Sequence, residues 1–375
     1  MPTIQLPEQL TPNFQDLVHN IKALDGERLA DAIPKELYEP RVARGLLGFF
    51  ASYALYIGAL VGVHYAPHWS LYLPLWLVAG LGGWGLFCIA HECGHNSFST
   101  NRRFNHFLGQ VALLPLLYPF HGWRHMHNLH HANTNSLEMD TDWRPVLPVQ
   151  YRAMGWWDKL VYRSTRSWLF WLGTVNYQRH SGFKPSMLPK LEARNEVRRS
   201  IVVTVLFAAV YLPALIYLTG WQGFLLYFLG PWVGIHAWFS TTTMMHHVSE
   251  ELPFLTKEHW TLNGSRLMLT TDYNYPKWLH FFTHNISVHT AHHVVPVIPF
   301  YNLPKAREAL KRAYPNAIRE KDFTWREVWR VIRSCHLYDP VHGYYVPFDA
   351  ADSDHASKGR SGQPGISPEG GVPHV

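Results

Sequence analysis

The sequence predicts an all-α integral membrane protein with four transmembrane helices, re-entrant or interfacial helices, and a cytoplasmic helical cap carrying a histidine-ligated di-metal site. Three observations predict this class. Only 16% of the 375 residues are charged, against about 25% in soluble proteins, while 47% are hydrophobic and 15% aromatic. Four apolar stretches reach the roughly 20 residues that a membrane span requires. Finally, there are 25 histidines, and many of them fall into three tight clusters.

Composition excludes several other classes. The apolar content rules out disorder throughout, and the 26 Pro and 26 Gly rule out a coiled coil. A mean hydropathy of −0.13 rules out a bundle made of spans alone. The three cysteines, Cys88, Cys93 and Cys335, are odd in number and lack CxxC spacing. We therefore expect neither a disulfide framework nor a thiolate zinc site.

The predicted spans are residues 46–66, 71–90, 201–219 and 224–245. The second contains the small-residue run AGLGGWG, which favours close helix packing. The run 107–120 is too short to span and contains two prolines, so it is predicted to be re-entrant or in-plane.

The chain is predicted to contain three parts. Residues 1–45 form a cytoplasmic interfacial segment that is not a signal peptide. Residues 46–350 form the membrane domain, with helical patterns at 304–313 and 323–334 in its late polar part. Residues 351–375 are polar and rich in Gly, Pro and Ser, which predicts a disordered tail.

The basic residues indicate the orientation. The turns PHWS and TGWQ contain no Lys or Arg, whereas the segment 101–199 is rich in both. By the positive-inside rule, this segment, both termini and the histidine clusters are expected to be cytoplasmic. The formal charge of +6 is thereby explained without a nucleic-acid partner.

The three clusters are HECGH (91–95), HNLHH (127–131) and HTAHH (289–293), and a pair, His246 and His247, ends the fourth span. Spacings of three and four place imidazoles on one helix face, and the topology brings all the clusters to one side of the membrane. Eight clustered histidines plus at least one more exceed the four to six ligands of a single ion, so they predict two ions with four or five nitrogens each. Imidazole ligands leave iron, copper, zinc and nickel open.

Two other classes fit part of this pattern. HECGH matches the HExxH zinc-protease signature with Glu92 as general base, but it leaves the other two clusters unexplained. A non-catalytic, histidine-rich metal-binding membrane protein is the other alternative.

The clusters and their surroundings resemble the membrane fatty acid desaturases. LLPLLYPFHGWRHMHNLHHANTN, LEMDTDWRP, HNISVHTAHHVVPVIPFYNL and CHLYDPVHGY are similar to passages of the acyl-lipid desaturases of cyanobacteria and plants. The resemblance covers about residues 45–347. The spacing of HECGH is similar to that of the branch acting at the Δ12 (ω6) or ω3 position, and the chain looks most like the cyanobacterial Δ12 type, which implies a bacterial inner or thylakoid membrane.

The resemblance implies O₂-dependent insertion of a cis double bond into lipid-bound acyl chains, with a hydroxylase or ketolase on the same fold as the alternative. It implies a non-haem di-iron centre. The implied ligands, with His247 preferred over His246, are His91, His95, His127, His130, His131, His247, His289, His292 and His293. No Gly-rich dinucleotide fingerprint and no cytochrome b5 motif are found, so an external electron donor such as ferredoxin is expected, with the basic segment as a candidate dock.

Several neighbouring residues receive smaller roles. Asp140 and Asp142 are expected either to orient ligand imidazoles or to cap a helix, and Glu92 either to orient a histidine or to face a basic loop. Asn285 is a candidate for holding a water.

The remaining candidates are expected to be structural. Trp123 and Arg124 are expected to anchor the membrane interface. Packing roles are expected for Cys93 and for His236, the latter with a hydrogen bond to a neighbouring helix. Interfacial or supporting roles are expected for His106, His121, His125, His259 and His280.

Overall fold

The computed structural model describes residues 12–351. The predicted tail therefore lies outside the described residues apart from Ala351, as do residues 1–11 of the predicted interfacial segment. Three helices in the described range are long and apolar enough to cross a bilayer: Val42–His64, Trp69–Gly94 and Leu191–His247.

The chain enters the fold through α1 (Pro12–Ala23), which does not lie free on a surface. Its apolar side chains Phe14, Val18 and Ile21 are buried against Leu255 and Leu269. The first apolar helix, α2 (Val42–His64), then begins slightly before the predicted span.

Helix α3 (Tyr72–Gly94) is the centre of the membrane part. Two-thirds of its apolar window is buried inside the protein, and every residue from Ala79 to Gly94 is buried. Its small residues permit this, because a Cβ at Gly80 would lie 2.5 Å from the Gly234 carbonyl oxygen. The predicted close packing of AGLGGWG is thus observed.

The third apolar helix contains α9 (Leu191–Phe224), a π-helical turn (Leu225–Leu229) and α10 (Gly230–His247). It reverses at Gly220, where φ is +69°, a conformation that favours glycine. The rings of Tyr211 and Phe228 consequently lie 6.1 Å apart although 17 positions separate them. Gly220 lies in the predicted turn TGWQ, and the two limbs correspond to the predicted third and fourth spans. Only 6% of the apolar window is buried, so this surface needs an apolar surrounding.

A helical hairpin follows α3. Helix α4 (Arg102–Ala112) and a short 3₁₀ turn lead to Leu117, whose φ of +53° reverses the chain into α5 (Phe120–Ala132). The apolar run 107–120 is therefore a turn between two helices. Three short helices connect α5 to α9: α6 (Pro148–Ala153), α7 (Trp156–Thr165) and α8 (Gly173–Phe183).

The late polar part forms a cap over the ends of α3, α5 and α10. Its helices are α11 (Leu262–Met268), α12 (Lys277–Phe282), α13 (His289–Val294), α14 (Leu303–Ala313) and α15 (Trp325–Ser334), so the helical patterns predicted near 304–313 and 323–334 are confirmed. The cap is not wholly helical. It holds a parallel pair, β1 (Thr271–Asn274) with β2 (Arg319–Asp322), and an antiparallel pair, β3 (Leu337–Asp339) with β4 (Tyr344–Val346).

Candidate metal centre

Four helix segments bring the histidine clusters together. HECGH lies at the end of α3, HNLHH at the end of α5, His246 and His247 at the end of α10, and HTAHH forms α13. All the clustered histidines are buried. The predicted convergence of the clusters is therefore what the fold produces.

The imidazoles form two adjacent groups. In the first histidine group, one ring nitrogen from each member lies within 4.8 Å of all the others; its members are His91, His95, His127, His131 and His292. In the second, the same holds for His130, His247 and His293. His289 joins the second group, because its Nε2 lies 2.8 Å from His247 Nε2 and 3.0 Å from His293 Nε2. The two groups thus offer five and four nitrogens, as the sequence predicted for two ions.

Hydrogen bonding between the imidazoles does not account for these distances. His131 Nε2 lies 3.0 Å from His127 Nε2 and 3.1 Å from His292 Nε2. A ring nitrogen either donates one hydrogen or accepts one, so it satisfies only one of these contacts. Two nitrogens at about 2.0–2.1 Å from one ion, at right angles, lie about 2.9 Å apart.

Other ring nitrogens are buried without a hydrogen-bond partner among the described residues, including both of His91 and Nε2 of His95 and His130. The residues present therefore fit two metal ions.

Neighbouring groups fix the tautomers of His130 and His293 in the second histidine group. The Nδ1 of His130 lies 2.7 Å from Asp140 Oδ1, and a carboxylate can only accept, so Nδ1 carries the hydrogen and Nε2 is free for an ion. Thr134 donates to the His130 carbonyl and accepts from Nδ1 of His293 at 3.0 Å. Of the two expected roles of Asp140, orienting an imidazole is the one observed.

Asp272 holds the third cluster in place. Its Oδ1 accepts hydrogen bonds from the backbone N–H groups of His289 at 2.9 Å and Thr290 at 2.7 Å, at the start of α13. Burial raises the pKa of this carboxyl to about 6. Sequence reasoning missed Asp272 and Thr134, because each contact joins positions whose proximity only the fold creates.

The electrostatics favour neutral imidazoles, which are the form that binds metals. Burial, reinforced by neighbouring imidazoles, lowers the pKa well below 6.5 for His127, His131, His289, His292 and His293. His130 differs: burial alone would lower its pKa, but the Asp140 carboxylate raises it above the ordinary value.

A narrow cavity leads from the histidines into the membrane part. Its apolar wall includes Trp84, Phe87, Phe239 and Ile286, and it reaches His91, His127, His246, His247 and His289. Trp84 stacks on Phe87 and on Phe239, with ring centroids 5.1 Å apart in both pairs. Because Trp84 lies two helical turns before His91, it lines the part of the cavity remote from the metal-binding nitrogens.

Three expectations require correction. Trp123 is 2% exposed, stacks on His127 at 4.8 Å and lines the cavity, so it does not anchor the interface. Arg124 is also buried and contacts His106 at 2.7 Å. Glu92 neither orients a histidine nor faces a basic loop, since its Oε2 accepts from the Ser97 hydroxyl and the Phe300 N–H.

Two further candidates also have partners other than a metal ligand. The amide of Asn285 donates to the Phe300 carbonyl at 3.2 Å, and the predicted water there stays untested. Asp142 lines the cavity and makes no hydrogen bond to a histidine within the described residues; burial raises its pKa to about 6.

The structural assignments hold for most remaining residues. Cys93 is fully buried in the apolar core, and His236 bonds Thr174 of α8 at 2.9 Å. His106, His121 and His125 surround Arg124 and Glu196, outside both histidine groups. His259 and His280 make local hydrogen bonds.

Comparison with known proteins agrees with this site. The sequence model of the fatty acid desaturase family matches residues 67–325. An sn-1 oleoyl-lipid 12-desaturase of Picosynechococcus sp. is 36% identical over 84% of this chain and 90% of its own length. A protein of the same name from Synechocystis sp. is 35% identical, over 90% and 95%. The chloroplastic omega-6 fatty acid desaturase of Arabidopsis thaliana is 34% identical, over 91% and 76%.

Proposed function

Because this chain belongs to the fatty acid desaturase family, we propose that it inserts a cis double bond at the Δ12 (ω6) position of oleoyl chains in membrane lipids. It is an oxidoreductase of the lipid-desaturating type. The observation that carries the proposal is the meeting of two buried histidine groups with the end of a narrow, aromatic-lined cavity.

Nine histidines would hold two iron ions. The first histidine group would bind one ion, and the second, with His289 and with His247 rather than His246, would bind the other. When bound, the irons supply the O₂ chemistry that removes hydrogen from an unactivated methylene, which no side chain provides. Overall, two C–H bonds break and one C=C bond forms, while O₂, the two hydrogens removed from the chain, two electrons and two protons become two waters.

The protein positions the chain and excludes water. Trp84, Phe87 and Phe239 offer an apolar wall on which an acyl chain would pack, and Trp123 stacks against His127 beside it. Asp140, Thr134 and Asp272 keep the imidazoles in position.

The remaining features of the proposal concern the membrane and the electrons. We place α2, α3 and the two limbs that meet at Gly220 across the bilayer as four spans, with both termini and the histidines on the cytoplasmic side. The membrane is a bacterial inner or thylakoid membrane. An external one-electron donor of the ferredoxin type supplies the electrons, and the basic segment 101–199 offers a surface for it.

The zinc-protease alternative disagrees with the site. Its general base, Glu92, is directed to Ser97 and Phe300, and His91 and His95 share their site with three further histidines. A hydroxylase would use the same metal centre, and its distinction from a desaturase is the product.

Gas chromatography of total fatty acids tests the proposal. A host that makes only saturated and monounsaturated chains would express the protein, His130→Ala and Glu92→Gln. We expect a Δ12 diene from the wild type and from E92Q, whose amide oxygen still accepts from Ser97 and Phe300, and none from H130A. A hydroxylated product would favour the hydroxylase, and no product despite iron loading and a reductant would contradict action on common acyl lipids.

A further inference from the structure

His246 is completely buried, and only one of its two ring nitrogens is hydrogen-bonded within the described residues. Its Nδ1 lies 2.7 Å from the carbonyl oxygen of Thr271. A carbonyl can only accept, so Nδ1 carries the hydrogen and Nε2 presents a free lone pair. This Nε2 has no hydrogen-bond partner among the described residues.

The ring that carries this nitrogen lies beside the second histidine group. The ring of His246 stacks on that of His289, with centroids 4.3 Å apart and an interplanar angle of 19°. His246, His247 and His289 all line the cavity. The second group offers four nitrogens where the first offers five, so it is the group with a position to spare on the cavity side.

We propose that Nε2 of His246 accepts a hydrogen bond from a water molecule held at this spare position, between the second histidine group and the cavity. A buried acceptor without a partner is destabilising, and ordered water is the usual partner where side chains provide none. His246 is then a positioning residue for the desaturation proposed above, on which this inference rests. It acts through the water and not as a direct ligand.

The chain offers a matched set of variants. Gln and Met have similar length and shape, but only Gln ends in a group that accepts a hydrogen bond. His246→Gln and His246→Met therefore differ in whether the side chain can accept a hydrogen bond from the water. His236→Met is the control, because His236 is equally buried, also bonds a neighbour through Nδ1, and lies outside both histidine groups. The probe is Co(II), added to the metal-free full-length protein and read by metal content and visible absorption.

We expect two cobalt ions per chain in every variant. In H246M the visible bands of one ion shift as its water is lost, whereas H246Q and H236M keep the wild-type spectrum. Desaturation by iron-loaded H246M falls about 10- to 100-fold, as is typical when a group supporting a metal site is removed.

Three results would overturn the inference. Loss of one cobalt ion from H246M would make His246 a direct ligand; an unchanged H246M spectrum, or the same shift in H236M, would leave it a packing residue. If H246M does not fold, electron–nuclear double resonance of the wild-type cobalt protein in H₂¹⁷O decides, since the absence of a coupling between ¹⁷O and cobalt contradicts a held water. None of these readouts depends on which product the enzyme makes, so the inference fails separately from the proposed function.

Discussion

The hydrogen bond between Asp140 and His130 gives the sharpest quantitative prediction. Both side chains are fully buried, and their 2.7 Å contact leaves Nε2 of His130 free for an ion. Asp140→Asn preserves the shape but removes the charge. A hydrogen bond to a charged group contributes about 1.5–3 kcal/mol. At about 1.4 kcal/mol per factor of ten, iron affinity should fall about 10- to 150-fold.

Asp142→Asn is the matched control for metal binding. Asp142 lies two positions away and is also buried, but within the described residues it bonds no histidine, and burial already raises its pKa to about 6. Removing its charge should leave iron affinity unchanged. The assay is competition of each purified variant with a chelator of known affinity, followed by elemental analysis. If D140N held both ions as tightly as D142N, Asp140 would not be stabilising the metal centre.

Three further predictions follow from the packing and the charges. Burial holds the pKa below 6.5 for five of the clustered histidines, namely His127, His131, His289, His292 and His293. The unfolded chain therefore binds more protons in acid, and metal-free protein should lose about 1.4 kcal/mol per pH unit for each of these histidines below pH 6.5. An acid-insensitive melting temperature between pH 5 and 7 would contradict this. Gly80→Ala should cost about 1–3 kcal/mol, because its Cβ meets the Gly234 backbone, whereas Gly58→Ala, with open space, should cost little; equal melting temperatures would refute the close packing. Trp84→Leu should enlarge the remote end of the cavity and shift the products towards longer chains in gas chromatography, and an unchanged distribution would contradict that placement.

The long apolar helices were predictable because their signal is local. An apolar run of about 20 residues is recognisable in the sequence without any tertiary contact. The observed limits of α2 and α3 lie within a few residues of the predicted ones. The reversal near Gly220 was anticipated from the polar turn TGWQ. The two small sheets were not predicted from the sequence. In the parallel sheet, Thr271–Asn274 pairs with Arg319–Asp322 across 48 positions, and neither strand shows an extended alternating pattern of its own.

The histidine groups were predictable for a different reason. Histidines spaced three and four residues apart lie on one face of a helix. Each cluster therefore predicts both the ligand type and the helix face that presents it. The membership of each group was not predictable, because histidines that are neighbours in sequence join different groups. His130 and His131 belong to different groups, as do His292 and His293. The packing of α3, α5, α10 and α13 together decides which nitrogen joins which group.

The prediction that Trp123 anchors the membrane interface is wrong because of how α5 packs. A tryptophan next to an arginine at the end of an apolar run is typical of a membrane interface. In this fold α5 turns inward, so the same residue packs on His127 and walls the cavity, while Arg124 contacts His106. Composition gives the preference of a side chain for an interface, but the packing of α5 against α3 decides whether that interface is lipid or a metal-binding core. Residues that determine specificity are therefore to be sought among the buried aromatics of the cavity, which the sequence pattern assigned to the membrane.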